Sequence, residues 1–121
     1  MNAQTYKTAI IGAGTIGTAL GNILAGTRNA PVLLHSIEPR IVEDINNTHI
    51  NSRYFPGLQL NPGLQATGDN ALLEHCETIF LAIPSVVMIK YLKTICRHIP
   101  EDALFVNLAK GFGSGSKTII E

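Results

Sequence analysis

The sequence predicts an α/β protein built on one doubly wound, mainly parallel sheet with helices on both faces. Three observations carry that expectation. Short apolar runs alternate with helical patterns along the chain, which implies parallel pairing through right-handed crossovers. Hydrophobic residues make up 45% of the 121 positions and charged residues only 15%, against the usual ~25% charged, as befits strands buried on both faces. A glycine triplet, Gly12-Ala13-Gly14-Thr15-Ile16-Gly17, stands between the first apolar run and the first helical pattern.

Thr8–Ile11 is rich in β-branched residues and closed by glycine, the pattern of a strand. Residues 15–25 place Ile16, Leu20, Ile23 and Leu24 at helical spacing. Val32–His35, entered through Asn29-Ala30-Pro31, is the second strand. Residues 39–46 suggest a short helix, with Pro39 tolerated in its first turn and Ile41, Val42 and Ile45 on one side. Across residues 46–62 the periodicity lapses, and asparagine, proline and glycine mark an extended loop region. Leu64–Thr67 reads as a short strand, and Asp69 as the cap of a helix running to His75. Residues 78–83 form the clearest central strand, residues 84–98 a helix opened by Pro84-Ser85, and residues 103–108 a fifth strand. The expected strand order is 3-2-1-4-5. A glycine-rich stretch from Ala109 to Ser116 follows, and the sequence stops at Glu121, where another helix or strand is expected. Residues 1–121 are therefore expected to be a dinucleotide-binding domain cut from a longer chain.

Several function classes are excluded by composition. Nine basic residues balance nine acidic ones, whereas a nucleic-acid or anionic-membrane binder working by electrostatics would be basic. The longest apolar stretch, residues 79–89, is interrupted by Pro84-Ser85 and falls short of the ~20 residues that span a bilayer. The first residues are mixed polar and carry no signal-peptide core. Cys76 and Cys96 share no metal-ligand spacing with a histidine, so no metal site is expected and both read as reduced thiols of a cytoplasmic protein.

The glycine triplet fits G-x-G-x-x-G in the context that gives the pattern meaning, after a strand and at the opening of a helix. Gly12 permits the tight turn, Gly14 lets a pyrophosphate approach the backbone, and Gly17 lets the helix pack closely on the sheet. The unpaired N–H groups and dipole of the helix then favour a diphosphate. This is a Rossmann-type arrangement and implies NAD or NADP. An acidic residue ending the second strand would hold the ribose hydroxyls, and here the chain reads His35-Ser36-Ile37-Glu38. Glu38 falls one or two residues late, so it stands either as a ribose ligand or as a solvated loop charge. The leaning is to NAD, with NADP open through Arg40.

The residues then resemble a family, the amino-terminal domain of NAD(P)-dependent glycerol-3-phosphate dehydrogenase. Four blocks carry the likeness: Ile11 to Leu20 around the glycines, Asn51-Ser52-Arg53-Tyr54-Phe55-Pro56-Gly57, Ala82-Ile83-Pro84-Ser85, and Ala109-Lys110-Gly111. The resemblance implies reversible hydride transfer between the nicotinamide and C2 of glycerol 3-phosphate, giving dihydroxyacetone phosphate. In bacteria that reaction supplies phospholipid synthesis. It also implies a helical second domain and a homodimer when the chain is full length. Residue by residue, Thr15 and Ile16 would lie at the cofactor diphosphate. His35, Ser36 and Ile37 would border the adenosine, Pro84 and Ser85 would stand beside the nicotinamide half, and Lys110 would reach both cofactor and substrate.

Some positions depart from the family pattern, which often has an aromatic residue at Ile16, tryptophan at His35 and a basic residue at Ile37. The arginine that the family often has a few residues after its Val-Pro-Ser, the counterpart of Ile83-Pro84-Ser85, is matched by Ile89, with Lys90 adjacent. The loss at Ile37 bears on adenosine contacts and on NADP preference. The family's second lysine, the proton donor or acceptor of the helical domain, has no match here, and general acid–base catalysis typically contributes 10²–10⁴-fold. No catalytic residue is therefore expected within these residues, and no turnover. The four histidines, His35, His49, His75 and His98, read as ordinary surface or loop residues. Outside this reading stand the cofactor half of another two-domain reductase, of ketopantoate reductase or 6-phosphogluconate dehydrogenase type, and a nucleotide-sensing module without chemistry.

Overall fold

The computed structural model describes residues 5–28 and 30–108. Within them the elements follow in the order β1 (Thr8–Ile11), α1 (Thr15–Arg28), β2 (Val32–His35), α2 (Pro39–Thr48), β3 (Leu64–Thr67), a 3-10 helix (Asn70–His75), β4 (Thr78–Leu81), α3 (Ser85–Ile95), a short 3-10 turn (Cys96–His98) and β5 (Leu104–Asn107). The five strands form one parallel sheet in the order β3-β2-β1-β4-β5, as expected. Chain direction across the sheet reverses between β1 and β4. That is the switch point outside which ligands bind in open α/β sheets.

Alternation along the strands divides the core into two. Ala9, Ile11, Leu33, Ile79 and Leu81 face α3 and the 3-10 helix, where Leu73, Ile95, Tyr91 and Leu92 meet them. Ile10, Val32, Leu34, Leu64 and Ala66 face α1 and α2, against Ala25, Ile41 and Ile45. Ile10, Ile11, Leu33 and Leu34 are fully buried, each worth about 1.5–3 kcal/mol in burial alone. The strands are apolar on both faces because each face is covered by helices.

Boundaries differ from the sequence expectation where polar residues continue a helix. α1 runs on to Arg28, with the Thr27 hydroxyl donating to the Ile23 carbonyl. α2 runs on to Thr48, whose hydroxyl donates to the Asp44 carbonyl. It ends on His49 in the left-handed conformation, φ 59°, with the His49 N–H donating to Ile45. Inside α2, Asn46 reaches the β3 edge, donating to the Ala66 carbonyl at 2.7 Å and accepting from the Ala66 N–H at 2.8 Å. β4 stops at Leu81 rather than residue 83, because the chain turns through Ala82 and Ile83 towards Pro84, which caps α3. Asp69 caps a helix as expected, its carboxylate accepting from the Ala71 N–H, but the helix is 3-10.

Two glycines of the triplet are demanded by packing. Gly12 sits at φ +112°, and a Cβ there would lie 2.7 Å from the Ala82 carbonyl oxygen and 2.8 Å from Ile83 Cγ2. A Cβ on Gly17 would overlap the Gly12 carbonyl oxygen. Gly17→Ala is therefore expected to cost about 1–3 kcal/mol of unfolding free energy, whereas Gly57→Ala, in open space, should cost almost nothing. Equal denaturation midpoints for the two variants would refute this account of the β1–α1 turn.

Candidate functional site

Where β1, β2 and β4 end, their following loops enclose a cavity of about 510 Å³, within the range of small-molecule and cofactor sites. Gly12 and Gly14 form one wall, Ser36, Ile37 and Glu38 a second, and Ala82, Ile83 and Pro84 a third. α3 closes it with Val87, Lys90, Tyr91 and Thr94, and Tyr54 approaches from the loop after α2. The sheet therefore brings together Gly12, Gly14, Ser36, Ile37 and Pro84, residues selected from sequence across more than seventy positions of chain.

Gly14 differs from its two partners. A Cβ built on it meets nothing within 4 Å, so the folded chain itself does not require glycine there. Gly14 itself lines the cavity, next to the first turn of α1, whose leading N–H groups have no partner within the helix. A backbone-close anion would use that space and those donors. Thr15 and Ile16 occupy the same turn and are exposed, Ile16 to 60%. Gly17 is buried beneath them.

The loop over residues 51–57 is fastened to this turn by one side chain. Asn51 is fully buried, and its amide donates to the Ala13 carbonyl at 3.1 Å and to Thr18 Oγ1 at 2.9 Å. Its main-chain carbonyl accepts from the Tyr54 and Phe55 N–H groups, whereas its buried side-chain Oδ1 has no hydrogen-bond partner among the described residues. Next in the chain, Ser52 donates through its N–H and hydroxyl to Asp44 of α2, at 2.8 and 2.6 Å. Those bonds hold the Asp44 carboxyl below the usual carboxylate range. Arg53 then pairs with Glu38, Nη1 to Oε1 at 3.2 Å, and lies 5.6 Å from the centre of the Tyr54 ring. Glu38 is thus a paired charge at the cavity rim. Sequence reading quoted this block without giving its residues a task; only their long-range partners reveal one.

His35 overturns the expectation that the four histidines are surface or loop residues. It is 1% exposed, because alternation along β2 turns its ring with Leu33 into the face under α3. Its carbonyl accepts from the Gly12 N–H at 2.8 Å, but the ring is turned away from the cavity. Asn70 donates its amide to the Thr94 carbonyl, so its Oδ1 accepts from His35 Nε2 at 2.7 Å. His35 Nδ1 then accepts from the Tyr91 hydroxyl at 2.8 Å. Burial holds the imidazole below its ordinary 6.5, against opposing pulls from the Asn70 hydrogen bond and Asp69. Burial also pushes the Tyr91 hydroxyl up to about 12. The network therefore rests neutral and locks α3, which carries Lys90, against the end of β2.

Elsewhere the placement is mixed. Ile89, aligned with the family arginine, is 68% exposed and off the cavity, whereas Lys90 lines it. Ser85 opens α3. Lys110, with Ala109, Gly111 and Gly113, lies outside the described residues. Both cysteines are free, and burial pushes the Cys76 thiol up to about 11. Among the described residues no helix is long and apolar enough to cross a membrane, and no three His, Cys, Asp or Glu side chains could hold a metal ion.

Comparison with known proteins adds to this geometry. The family described as NAD-dependent glycerol-3-phosphate dehydrogenase N-terminus matches residues 7–121. The NAD(P)+ glycerol-3-phosphate dehydrogenase of Caulobacter vibrioides is 38% identical over 110 residues, which are 91% of this chain and 33% of that protein. The enzyme of the same name from Mycobacterium leprae is 39% identical over 89% of this chain and 32% of its own. The crystal structure of glycerol-3-phosphate dehydrogenase from Coxiella burnetii superposes with a TM-score of 0.80 at 29% identity, covering 92% of this chain and 34% of that one. The chain spans about a third of the length of these relatives.

The His35 network gives stability a pH dependence. The unfolded chain takes up a proton near pH 6.5 that the folded imidazole refuses, so the folded state binds fewer protons below that pH. The contribution is complete above about pH 6.5 and should be lost as acid carries the solution down through the lowered folded value. Denaturation midpoints measured on both sides of that point should show the fall, and His35→Gln should flatten it. An unaltered slope in that variant would assign the dependence elsewhere.

Proposed function

The chain belongs to the family of NAD-dependent glycerol-3-phosphate dehydrogenase N-termini, and on that premise we propose that it is the cofactor-binding part of such an oxidoreductase. The observation that carries the reading is Gly14: folding leaves its side-chain space open, on a cavity wall beside a helix N-terminus. The reading assigns the diphosphate to Gly12, Gly14, Thr15, Ile16 and Gly17, and the adenosine to Ser36 and Ile37. His35 acts there through its main chain, its ring bracing α3. Pro84 and Ser85 take the nicotinamide half, and Lys110 reaches both cofactor and substrate. Bound in this cavity, NAD(H) or NADP(H) would supply or accept the hydride.

The proposed reaction interconverts dihydroxyacetone phosphate and glycerol 3-phosphate, the latter serving phospholipid synthesis in the cytoplasm. A cation at Lys110 would stabilise negative charge on substrate oxygen as transfer proceeds. The proton is handled by a residue of a further, helical domain, so residues 1–121 bind cofactor without turnover, and the full-length protein is a homodimer. The alternatives, a reductase of ketopantoate or 6-phosphogluconate type or a non-catalytic module, are less favoured by the family match.

Calorimetric titration of the chain with NADH and with NADPH tests the reading directly. Gly14→Ala should weaken binding about tenfold or more while leaving unfolding free energy unchanged or raising it by about 0.4–1 kcal/mol, since the unfolded chain loses freedom. Undiminished binding, or a loss of stability, would show that the open space at Gly14 has no ligand role. In the complete enzyme, Lys110→Ala should lower kcat/KM about a hundredfold with little change in Tm; an unaltered rate would remove Lys110 from the site.

A further inference from the structure

Resting on the cofactor-binding reading above, we propose that Tyr91 selects the base of the cofactor. Its hydroxyl oxygen, held as an acceptor by His35, takes the exocyclic amine of adenine and disfavours the deaminated base, hypoxanthine.

Each proton around His35 is assigned by its neighbour. The Asn70 amide donates to the Thr94 carbonyl at 3.2 Å, which turns Asn70 Oδ1 towards His35 Nε2 at 2.7 Å as an acceptor. His35 Nε2 then carries the ring proton, and Nδ1 of the neutral ring has only a lone pair. The Tyr91 hydroxyl, 2.8 Å away, gives its proton to that lone pair. A phenol has a single O–H. What Tyr91 offers a ligand is therefore an oxygen lone pair and no donor. Burial holds the imidazole below its ordinary value and pushes the Tyr91 hydroxyl up to about 12, so both groups stay neutral and the assignment holds near neutral pH.

Tyr91 lines the cavity together with Val87, Lys90 and Thr94, residues spaced as one face of α3. Thr94 is committed in the same way, its hydroxyl donating to the Tyr91 carbonyl at 2.7 Å. Both hydroxyls of this wall are thus acceptors towards a ligand, and the Lys90 ammonium is a donor with no acceptor. Adenine carries the matching edge, an amine beside an unprotonated ring nitrogen. Hypoxanthine puts a carbonyl oxygen where that amine stands, and it would meet the Tyr91 oxygen lone pair to lone pair. Ile37, 72% exposed, and Val87, 40% exposed, line the same cavity and supply apolar surface for the faces of the ring. The bond from Tyr91 to His35 ties this wall to the residue before Ser36, which places it at the adenosine end of the reading above.

The test is titration of the chain, Tyr91→Phe and His35→Leu with NADH and with deamino-NADH, which differ only in adenine against hypoxanthine. It is run at about pH 8, where His35 is neutral, and circular dichroism checks that each variant folds. The unaltered chain should bind NADH about tenfold more tightly than deamino-NADH. Tyr91→Phe removes the acceptor and should bring the two affinities within about twofold. His35→Leu frees the Tyr91 proton to donate into the cavity, so deamino-NADH should bind as tightly as NADH or more tightly. Equal binding of the two by the unaltered chain, or a preference retained in either folded variant, overturns the proposal and leaves the cofactor reading standing. If the folded, unaltered chain binds neither dinucleotide, the cofactor reading falls and this inference falls with it.

Discussion

The site depends on how closely three stretches of backbone approach one another at Gly12. Its N–H is taken by the end of β2, its side-chain space is filled by the Ala82 carbonyl after β4, and its own carbonyl lies under Gly17 of α1. No side chain fits between these segments. Because they close so tightly, the ends of β1, β2 and β4 share one rim, and the opening of α1 is aimed across it. The cavity is the space left by this closure rather than a separate piece of architecture.

Around that closure, polar side chains in buried and partly buried positions fasten the flanking segments. Asn51 joins the loop over residues 51–57 to the glycine turn from a fully buried position. The His35–Tyr91–Asn70 network does the same for α3 on the opposite face. Buried polar groups of this kind are costly if left unpaired, which ties the loop and the helix to single positions. The cavity wall from Ser36 to Glu38 is consequently fixed from both sides of the sheet.

Much of this architecture was legible in the residues. Short β-branched runs closed by glycine marked the strands, and periodic apolar residues marked the helices, because a sheet covered on both faces leaves little room for ambiguity. The glycine triplet was legible because its spacing falls between a strand and a helix, although only Gly12 and Gly17 meet a steric demand within the folded chain. What escaped were features whose cause lies far away in sequence. Nothing around Asn51 announces that Ala13 and Thr18 will be its partners, and nothing around His35 announces Tyr91. The polar last turns of α1 and α2 escaped as well, since Thr27 and Thr48 continue those helices by bonding back to carbonyls four residues earlier. Lys90 is one step from Ile89, the position matched to the family arginine, and on a helix one step is a rotation of ~100°, which decides which residue meets the cavity.

Asn46 settles how this sheet can grow. In β3 the N–H groups of Leu64 and Ala66 face away from β2, and they are already engaged, by the Asn61 carbonyl and by Asn46 Oδ1. The amide of Asn46 thus stands in for the strand that would otherwise come next, completing the pairing of Ala66 with a side chain instead of a neighbouring backbone. An incoming strand finds no free donors along this margin, so the β3 side is protected against intermolecular sheet extension. Any strand that joins this sheet must therefore add beside β5, on the side remote from the cavity wall formed by Ser36, Ile37 and Glu38.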